Sequence, residues 1–424
     1  MIRVCRAAAH GNAIVANNGE VFVPSSHDRR IHLASDKQVV ARALSLAATV
    51  TGQDQENLVR QHCVGPNSAQ TKTFVAYVGR QMISQLQTIA CEIRVGRALL
   101  AGMGIANLVT QSQEQGHGHG RNLVDAALAD GRREGRQFSL LFTKEQEIFR
   151  DLGYVSIPIP EYEITGADSL SGREKEKLRK IREFRRSTDL SPVAALHGEY
   201  GARFSGVMVR SLGWWAGMLK QNSDPKEDFV VLEETGVIKG MVRAKNNQQV
   251  GQKTYEIHDF AASDEDSEQA LLHWILERTQ QVGAVLARGR APHPDRVSQL
   301  VPAGTLVSFS KSADMMVKIL DATSLIKALS PEFDRLNTLF PQKEGAEVTV
   351  QVHGEAITIQ VRGDGIQVQK AKASEATTVR MSESNFWPLM LEGQLPSLGE
   401  NKQGALLERL FPSRQLSFCL GDEF

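Results

Sequence analysis

The stretch from Val109 to Phe149 constrains this chain most. An apolar run over residues 100–110 reads as a strand, and a glycine-rich turn, Gln115-Gly116-His117-Gly118-His119-Gly120, follows it. The spacing then predicts a helix over 121–133 and a second strand over 138–142. The unit closes with Ile148-Phe149-Arg150-Asp151-Leu152-Gly153-Tyr154. A strand that feeds a glycine turn and then a helix is a phosphate cradle. The backbone N–H groups of the turn and the positive end of the helix dipole converge on one place. Glycines let the chain turn tightly and let phosphate oxygens approach without meeting a Cβ.

The ligand class follows from spacing. The dinucleotide fingerprint is G-x-G-x-x-G, whereas Gly116, Gly118 and Gly120 are spaced G-x-G-x-G, and no acidic residue clearly ends a second strand about 20 residues on. A P-loop needs Gly-Lys-Ser/Thr at the helix start, and this chain has Gly120-Arg121-Asn122. The stretch instead resembles the acetyl-coenzyme A loop of the Gcn5-related N-acetyltransferases (GNAT), [R/Q]-x-x-G-x-[G/A], filled by Gln115, Gly118 and Gly120. The segment from Phe149 to Tyr154 resembles the second signature of that family, an aromatic followed by x-x-Leu-Gly-Phe/Tyr.

Composition narrows the partners. With 49 basic and 49 acidic residues, the balance gives no reason to expect a nucleic acid or an acidic membrane surface. Cys5, Cys63, Cys91 and Cys419 are scattered without a C-x-x-C pair, which fits reduced thiols in a cytoplasmic protein. No apolar run reaches the roughly 20 residues of a membrane helix, and the N-terminus has no signal-type core.

Before the cradle, the sequence reads as an antiparallel start, a helix over 37–49 that Asp36 can cap, and strands over 73–78 and 88–95. This order is that of the acetyltransferases and extends the resemblance over residues 1–160. Residues 168–188 read as a basic, polar helix, either an anion contact or a solvated strut. A second unit begins near Ala194, with a hairpin over 229–233 and 237–244, a strand over 255–261, a helix over 264–281 and a strand over 283–286. It repeats the first order without a glycine loop, as a degenerate copy would. Trp214-Trp215 after Arg210 reads either as a binding wall or as packing.

Met315 to Asp321 leads into a third unit. A helix over 322–329 precedes clean alternation at Val348, Val350 and Val352, at Ile357, Ile359 and Val361, and at Ile366 and Val368, an antiparallel meander. A strand over 377–381, two helices and a last strand over 415–419 complete it. The helix–meander–helix order, with Trp387-Pro388-Leu389-Met390-Leu391-Glu392-Gly393, resembles the sterol-carrier-protein fold. The expected class is α+β: two tandem acetyltransferase-like mixed-sheet domains (1–160 and a degenerate 161–310), then a sterol-carrier-like antiparallel sheet with helices (311–424).

This combination resembles the "enhanced intracellular survival" (Eis-like) acetyltransferases. The resemblance implies acetyl-CoA as co-substrate, held by Leu108, Val109 and Thr110, by Gly116 to Arg121 together with Gln115, and by Lys144 and Glu145. His117 and His119 stand where that family often has cations, and their alternation, with no cysteine or acidic partner nearby, argues against a metal. The family's base is the C-terminal carboxylate, here that of Phe424, although a frayed tail is the alternative. Its acid is a tyrosine where this chain has Phe149; Tyr154 is the nearest substitute, with core packing as the competing role. The resemblance further implies a small-molecule amine, aminoglycoside- or polyamine-like, as acceptor, and a homo-oligomer, possibly a hexamer. Two functions remain open: an amine N-acetyltransferase, and a non-catalytic binding protein of the same fold whose C-terminal domain holds an apolar ligand.

Overall fold

The computed structural model describes residues 14–15, 20–22, 29–34, 36–52, 71–166, 176–221, 227–249, 252–371, 378–396 and 402–423. Its first sheet is built around two long strands. In chain order the first unit contains β1 (Ile14–Val15), β2 (Glu20–Phe22), β3 (Arg29–Leu33), α1 (Lys37–Thr51), β4 (Thr71–Val78), β5 (Gln81–Val95), β6 (Ala98–Thr110), α2 (His119–Arg133), β7 (Phe138–Phe142), α3 (Gln146–Arg150) and β8 (Val155–Ser156). Asp36 caps α1, accepting from the Gln38 amide at 2.8 Å. β6 and β7 lie side by side and parallel, as a crossover through α2 requires.

The second unit contains β9 (Ile159–Thr165), β10 (Ile181–Glu183), α4 (Arg186–Gly201), α5 (Leu212–Gln221), β11 (Glu227–Glu234), β12 (Val237–Gln249), β13 (Gln252–Ala262), α6 (Glu265–Gln281), β14 (Leu286–Gly289), α7 (Pro294–Leu300) and β15 (Leu306–Ser312). Its seven-stranded sheet runs β10-β11-β12-β13-β14-β9-β15. Then follow β16 (Met315–Ile319), α8 (Ala322–Ala328), α9 (Ser330–Leu339), β17 (Glu347–Val352), β18 (Glu355–Arg362), β19 (Gly365–Ala371), β20 (Thr378–Arg380), α10 (Glu383–Glu392) and α11 (Lys402–Leu410). No described helix is long and apolar enough to cross a membrane.

Four expectations change. The region read as one basic helix over 168–188 is divided. Residues 167–175 lie outside the described residues, and Ile181–Glu183 is an edge strand paired with β11. Its charge is consumed locally: Arg182 donates to both oxygens of buried Asp189, at 2.6 and 3.0 Å, and to Glu233. β16, the run read as leading into the third unit, is inserted in the first sheet between β7 and β8. The third sheet is mixed rather than wholly antiparallel, because β20 pairs parallel with β17. Residues 415–419 form an extended tail with a single bridge, Leu416 to Ser205, rather than a strand of a sheet.

The three units share cores. One continuous cluster joins Leu100, Phe138 and Leu140 of the first sheet to Val317 of β16, Val350 and Ile359 of the third sheet, and Trp387 of α10. The Phe138 ring meets the Trp387 indole edge-on at 5.6 Å. The opposite face of the first sheet is covered by α2 through Leu123, Val124, Ala127 and Leu128. The third unit therefore braces the sheet from behind and leaves the α2 side for the cradle.

Candidate active site

The cradle begins with a defect in pairing. β5 and β6 run in register from Val95↔Ala98 to Gln87↔Ala106, then shift, and resume at Gln85↔Val109. Asn107 and Leu108 together oppose one residue, a β-bulge. Asn107 sits at φ 50°, a left-handed conformation that asparagine tolerates better than most residues. Two glutamines fix it: Gln85 Nε2 donates to the Asn107 carbonyl at 2.8 Å, and Asn107 Nδ2 donates to Gln87 Oε1 at 2.9 Å. Just beyond, the Ser84 hydroxyl donates to the Val109 carbonyl at 2.7 Å.

On its other edge β6 pairs with β7 only from Gly102↔Phe138 to Gly104↔Leu140. Past Gly104 the strand runs on to Thr110 without ladder partners on β7, so the sheet is split there. The bulge turns the end of β6, including Leu108, Val109 and Thr110, away from an ideal ladder. Backbone groups freed in this way are available to a ligand. Gln85 Oε1, fully buried beside the bulge, has no partner among the described residues and is an acceptor suited to a ligand N–H.

The glycine loop closes the cradle. A 3-10 turn at Ser112–Glu114 leads to Gln115, whose side-chain amide donates back to the Thr110 carbonyl at 3.2 Å. Gly116 and Gly118 sit at φ 78° and 80°, where a side chain would be strained although nothing crowds the position. Gly118 is the N-cap of α2, and no side chain caps the helix. The first-turn amides thus face an open helix end, with Arg121 in that turn. Gly120 is different. Its φ is ordinary, and a Cβ there would only touch Leu108 and Thr110 at 3.6 to 3.8 Å.

The second unit shows the opposite arrangement. β13 ends at Ala262 and α6 starts at Glu265, leaving no loop. Asp264 fills the helix end with its own carboxylate, accepting from the Ser267 amide at 2.9 Å, and Glu265, Asp266 and Glu268 crowd the first turn with negative charge. This helix start repels phosphate.

At the far side of the split, Lys144 and Glu145 are exposed between β7 and α3, and the Glu145 amide donates to Thr143 Oγ1 at 2.9 Å. Phe149 is buried, its ring edge-on to Tyr154 at 5.7 Å. The Tyr154 hydroxyl is buried too, 2.8 Å from Ser139 Oγ, and burial raises its pKa above the ordinary phenol value. Both rings sit in the core under α2.

Phe424 lies outside the described residues, but the tail up to Glu423 is anchored. Phe418 packs on Phe142, the last residue of β7, with ring centroids 5.2 Å apart. Asp422 Oδ1 accepts from Arg210 Nε at 2.7 Å, and Glu423 Oε1 lies 2.6 Å from Arg290 Nη1. Segment 207–209 docks Arg210 onto β5, through Arg94 N to Val207 O and Val209 N to Glu92 O, each at 2.9 Å. Trp214 and Trp215 do not form a wall. They are buried and hold the Arg210 guanidinium over their rings at 4.2 and 5.0 Å.

The same buried cluster makes the fold sensitive to acid. Burial, with Arg210 nearby, pushes His197 down to about 3, so the ring is neutral in the native state. A depressed histidine pKa contributes stability that is present above the unfolded value of about 6.5 and is lost as pH falls toward the folded value. Between pH 7.5 and 5 this residue alone should cost about 2 kcal/mol. Urea titrations at the two pH values should show a loss about 2 kcal/mol larger in the native chain than in His197→Gln; equal changes would exclude the residue. Asp422, pushed up to about 6 by burial, works in the opposite direction: its contribution is lost as pH rises through 6.

Several functional features were invisible to motif reading: the bulge at Asn107, the glutamines that pin it, and Glu114. One signal was present. Gln85 and Gln87 place two polar side chains on the face of β5 that continues as Ile89, Cys91, Ile93 and Val95. The acidic neighbour judged missing from the histidine pair is Glu114, whose Oε2 lies 3.2 Å from His119 Nε2.

The site is thus a mixed sheet split beside a bulged strand, with a glycine loop entering an uncapped helix. Residues 30–157 match an acetyltransferase (GNAT) domain, and residues 206–319 match a second acetyltransferase (GNAT) domain. Together the two spans cover more than half of the chain, which belongs to the GNAT acetyltransferase family and carries two such domains in tandem. No curated protein matches. Among solved structures, the chain is similar to a probable N-acyltransferase of unknown function from Enterococcus faecalis (TM-score 0.70, 13% identity, 93% of this chain and 99% of that one). It is also similar to a GCN5-related N-acetyltransferase from Kribbella flavida (0.67, 17%, 96% and 100%) and to Eis1 from Mycobacterium abscessus (0.63, 17%, 93% and 100%). At these identities the likeness shows the fold, and it extends over nearly the whole length.

Proposed function

We propose that this protein is an acetyl-CoA-dependent N-acetyltransferase of the Eis-like type, acting on a primary amine such as an aminoglycoside or polyamine. The observation that carries the reading is the glycine loop and uncapped α2 beside the split between β6 and β7. Acetyl-CoA, when bound, supplies the activated thioester carbonyl. Gln115, Gly116, His117, Gly118, His119, Gly120 and Arg121 would hold its diphosphate through backbone N–H groups and the helix dipole. Leu108, Val109 and Thr110 would offer backbone groups to the pantetheine arm and to the developing oxyanion. Lys144 and Glu145 border the far side.

The base in this reading is the terminal carboxylate of Phe424, supported by the anchoring of its neighbours Asp422 and Glu423. The first unit (1–160) holds the site, and the second (161–310) keeps the fold with its own helix end closed. The third (311–424) is a sterol-carrier-like brace. A cytoplasmic homo-oligomer, as large as a hexamer, fits the same resemblance.

Phe149 has no proton to give, and Tyr154 spends its hydroxyl on Ser139. That observation favours, as a second reading, a binding protein that retains the cradle. Calorimetry with acetyl-CoA followed by thiol release over a panel of amines separates the two. Absence of binding would sink both the enzyme and the retained cradle. Binding without turnover selects the second reading; slow turnover keeps the first, and Phe149→Tyr should then raise the rate, by about 100-fold for a positioned acid. Amidating the Phe424 carboxylate should abolish turnover, and unchanged turnover would remove it as the base.

A further inference from the structure

The glycine loop holds a second chemistry. Glu114 ends the 3-10 turn, His117 stands between the two left-handed glycines, and His119 opens α2. One donor atom from each lies within 4.8 Å of the others, and Glu114 Oε2 is 3.2 Å from His119 Nε2. Zinc binds imidazole nitrogen and carboxylate oxygen at about 2.0–2.2 Å, so two ligands of a tetrahedral site lie roughly 3.3 Å apart. The Glu114–His119 pair already has that separation. His117 is exposed, its ring centroid lies 6.2 Å from that of His119, and nothing within 4 Å crowds the Cβ positions of Gly116 and Gly118 beside it.

The geometry points to a divalent transition-metal site formed by Glu114, His117 and His119. Two imidazoles and one carboxylate suit Zn2+, Co2+, Ni2+ or Cu2+ rather than Mg2+ or Ca2+, which favour all-oxygen shells. Three protein ligands leave a fourth position open, as in zinc sites that take water or a ligand. The other close trio, His197, Asp259 and Cys419, offers no such place, because Arg210 and Arg243 each donate to Asp259 at 2.6 Å. A cation there would have to displace two guanidinium groups. The loop site also has a mechanical consequence. Its ligands straddle Gly116 and Gly118, so a bound metal ties the 3-10 turn to the helix and fixes both positive-φ residues.

The test uses the full chain, stripped with a chelator, and does not depend on whether the loop holds acetyl-CoA. Titration with Zn2+ in a calorimeter should show one site per chain, and Co2+ loading should give the intense visible absorption of a tetrahedral centre. His117→Ala removes an exposed ligand without touching the core and should weaken Zn2+ binding by about 10- to 100-fold or more, at least what loss of an outer-shell partner costs. Glu114→Gln should weaken it by about tenfold or more. Retained helical circular dichroism in both variants would show that the fold is intact. Absence of Zn2+ binding, or binding unchanged by His117→Ala and Glu114→Gln, would overturn the assignment.

Discussion

Replacing Arg210 by methionine is expected to lower stability by about 3–5 kcal/mol, the usual cost of leaving buried charge without its partner. Arg210 is fully enclosed and pairs with two carboxylates that are fully enclosed themselves: Asp259 at 2.6 Å and Asp422 at 2.7 Å. Asp259 would keep its ion pair with Arg243, whereas Asp422 makes no other ion pair among the described residues and feels Arg243 only through space. The cost falls on the carboxyl that burial already disfavours. Asp422 is the carboxyl whose pKa is pushed up, by burial and against the pull of Arg210. Without Arg210 it should become neutral, and the tail should lose its anchor.

Chemical denaturation should therefore show the loss, and limited proteolysis should show earlier cleavage near the C-terminus. A double-mutant cycle with Asp422→Asn isolates the pair: the combined change should cost less than the sum of the two single changes. Additive costs would mean that the guanidinium stabilises the tryptophans it lies between and not the tail.

The parts legible in the sequence were those with a local cause. The period of residues 100–110, the glycine spacing and the run at 138–142 sufficed for β6, the loop and β7 because each depends on neighbours in the chain. The β17–β19 meander was legible for the same reason: alternation and two-residue turns fix register without distant partners.

What was hidden has distant causes. β16 is an apolar run like any other, and nothing in Met315-Met316-Val317 says that its partners are Leu141 and Ser156. α4 was missed because Pro192 interrupts its pattern and because the basic stretch before it invited one long helix. Arg182 looks solvated in sequence, yet folding places it against Asp189 and Glu233. The bulge at Asn107 is set by two glutamines 20 and 22 residues upstream, a relation that appears only when β5 and β6 pair.

Gly120→Asp is expected to separate fold from function more sharply than any other single change. Glycine inside a helix costs roughly 1 kcal/mol relative to alanine, so its retention here needs a reason. The protein supplies none: φ is ordinary, and a Cβ would meet only van der Waals contacts at 3.6 Å or more. The space it leaves lies at the uncapped end of α2, beside Leu108 and Thr110, where the proposed diphosphate would lie. Aspartate in the first turn should stabilise the helix through the dipole, so thermal stability should hold or rise.

The same carboxylate should repel a diphosphate and compete for its amides, a loss of about 2–3 kcal/mol, or roughly 30- to 150-fold in acetyl-CoA affinity. The second unit already carries this arrangement in Asp264, Glu265 and Asp266. Gly120→Ala should give the intermediate result, with a more stable helix and weaker binding through bulk alone. Calorimetry with acetyl-CoA beside thermal melts of the three proteins measures both quantities. Equal affinity in the native chain and Gly120→Asp would remove this helix end from the cofactor site, because no route through lost stability is open to that variant.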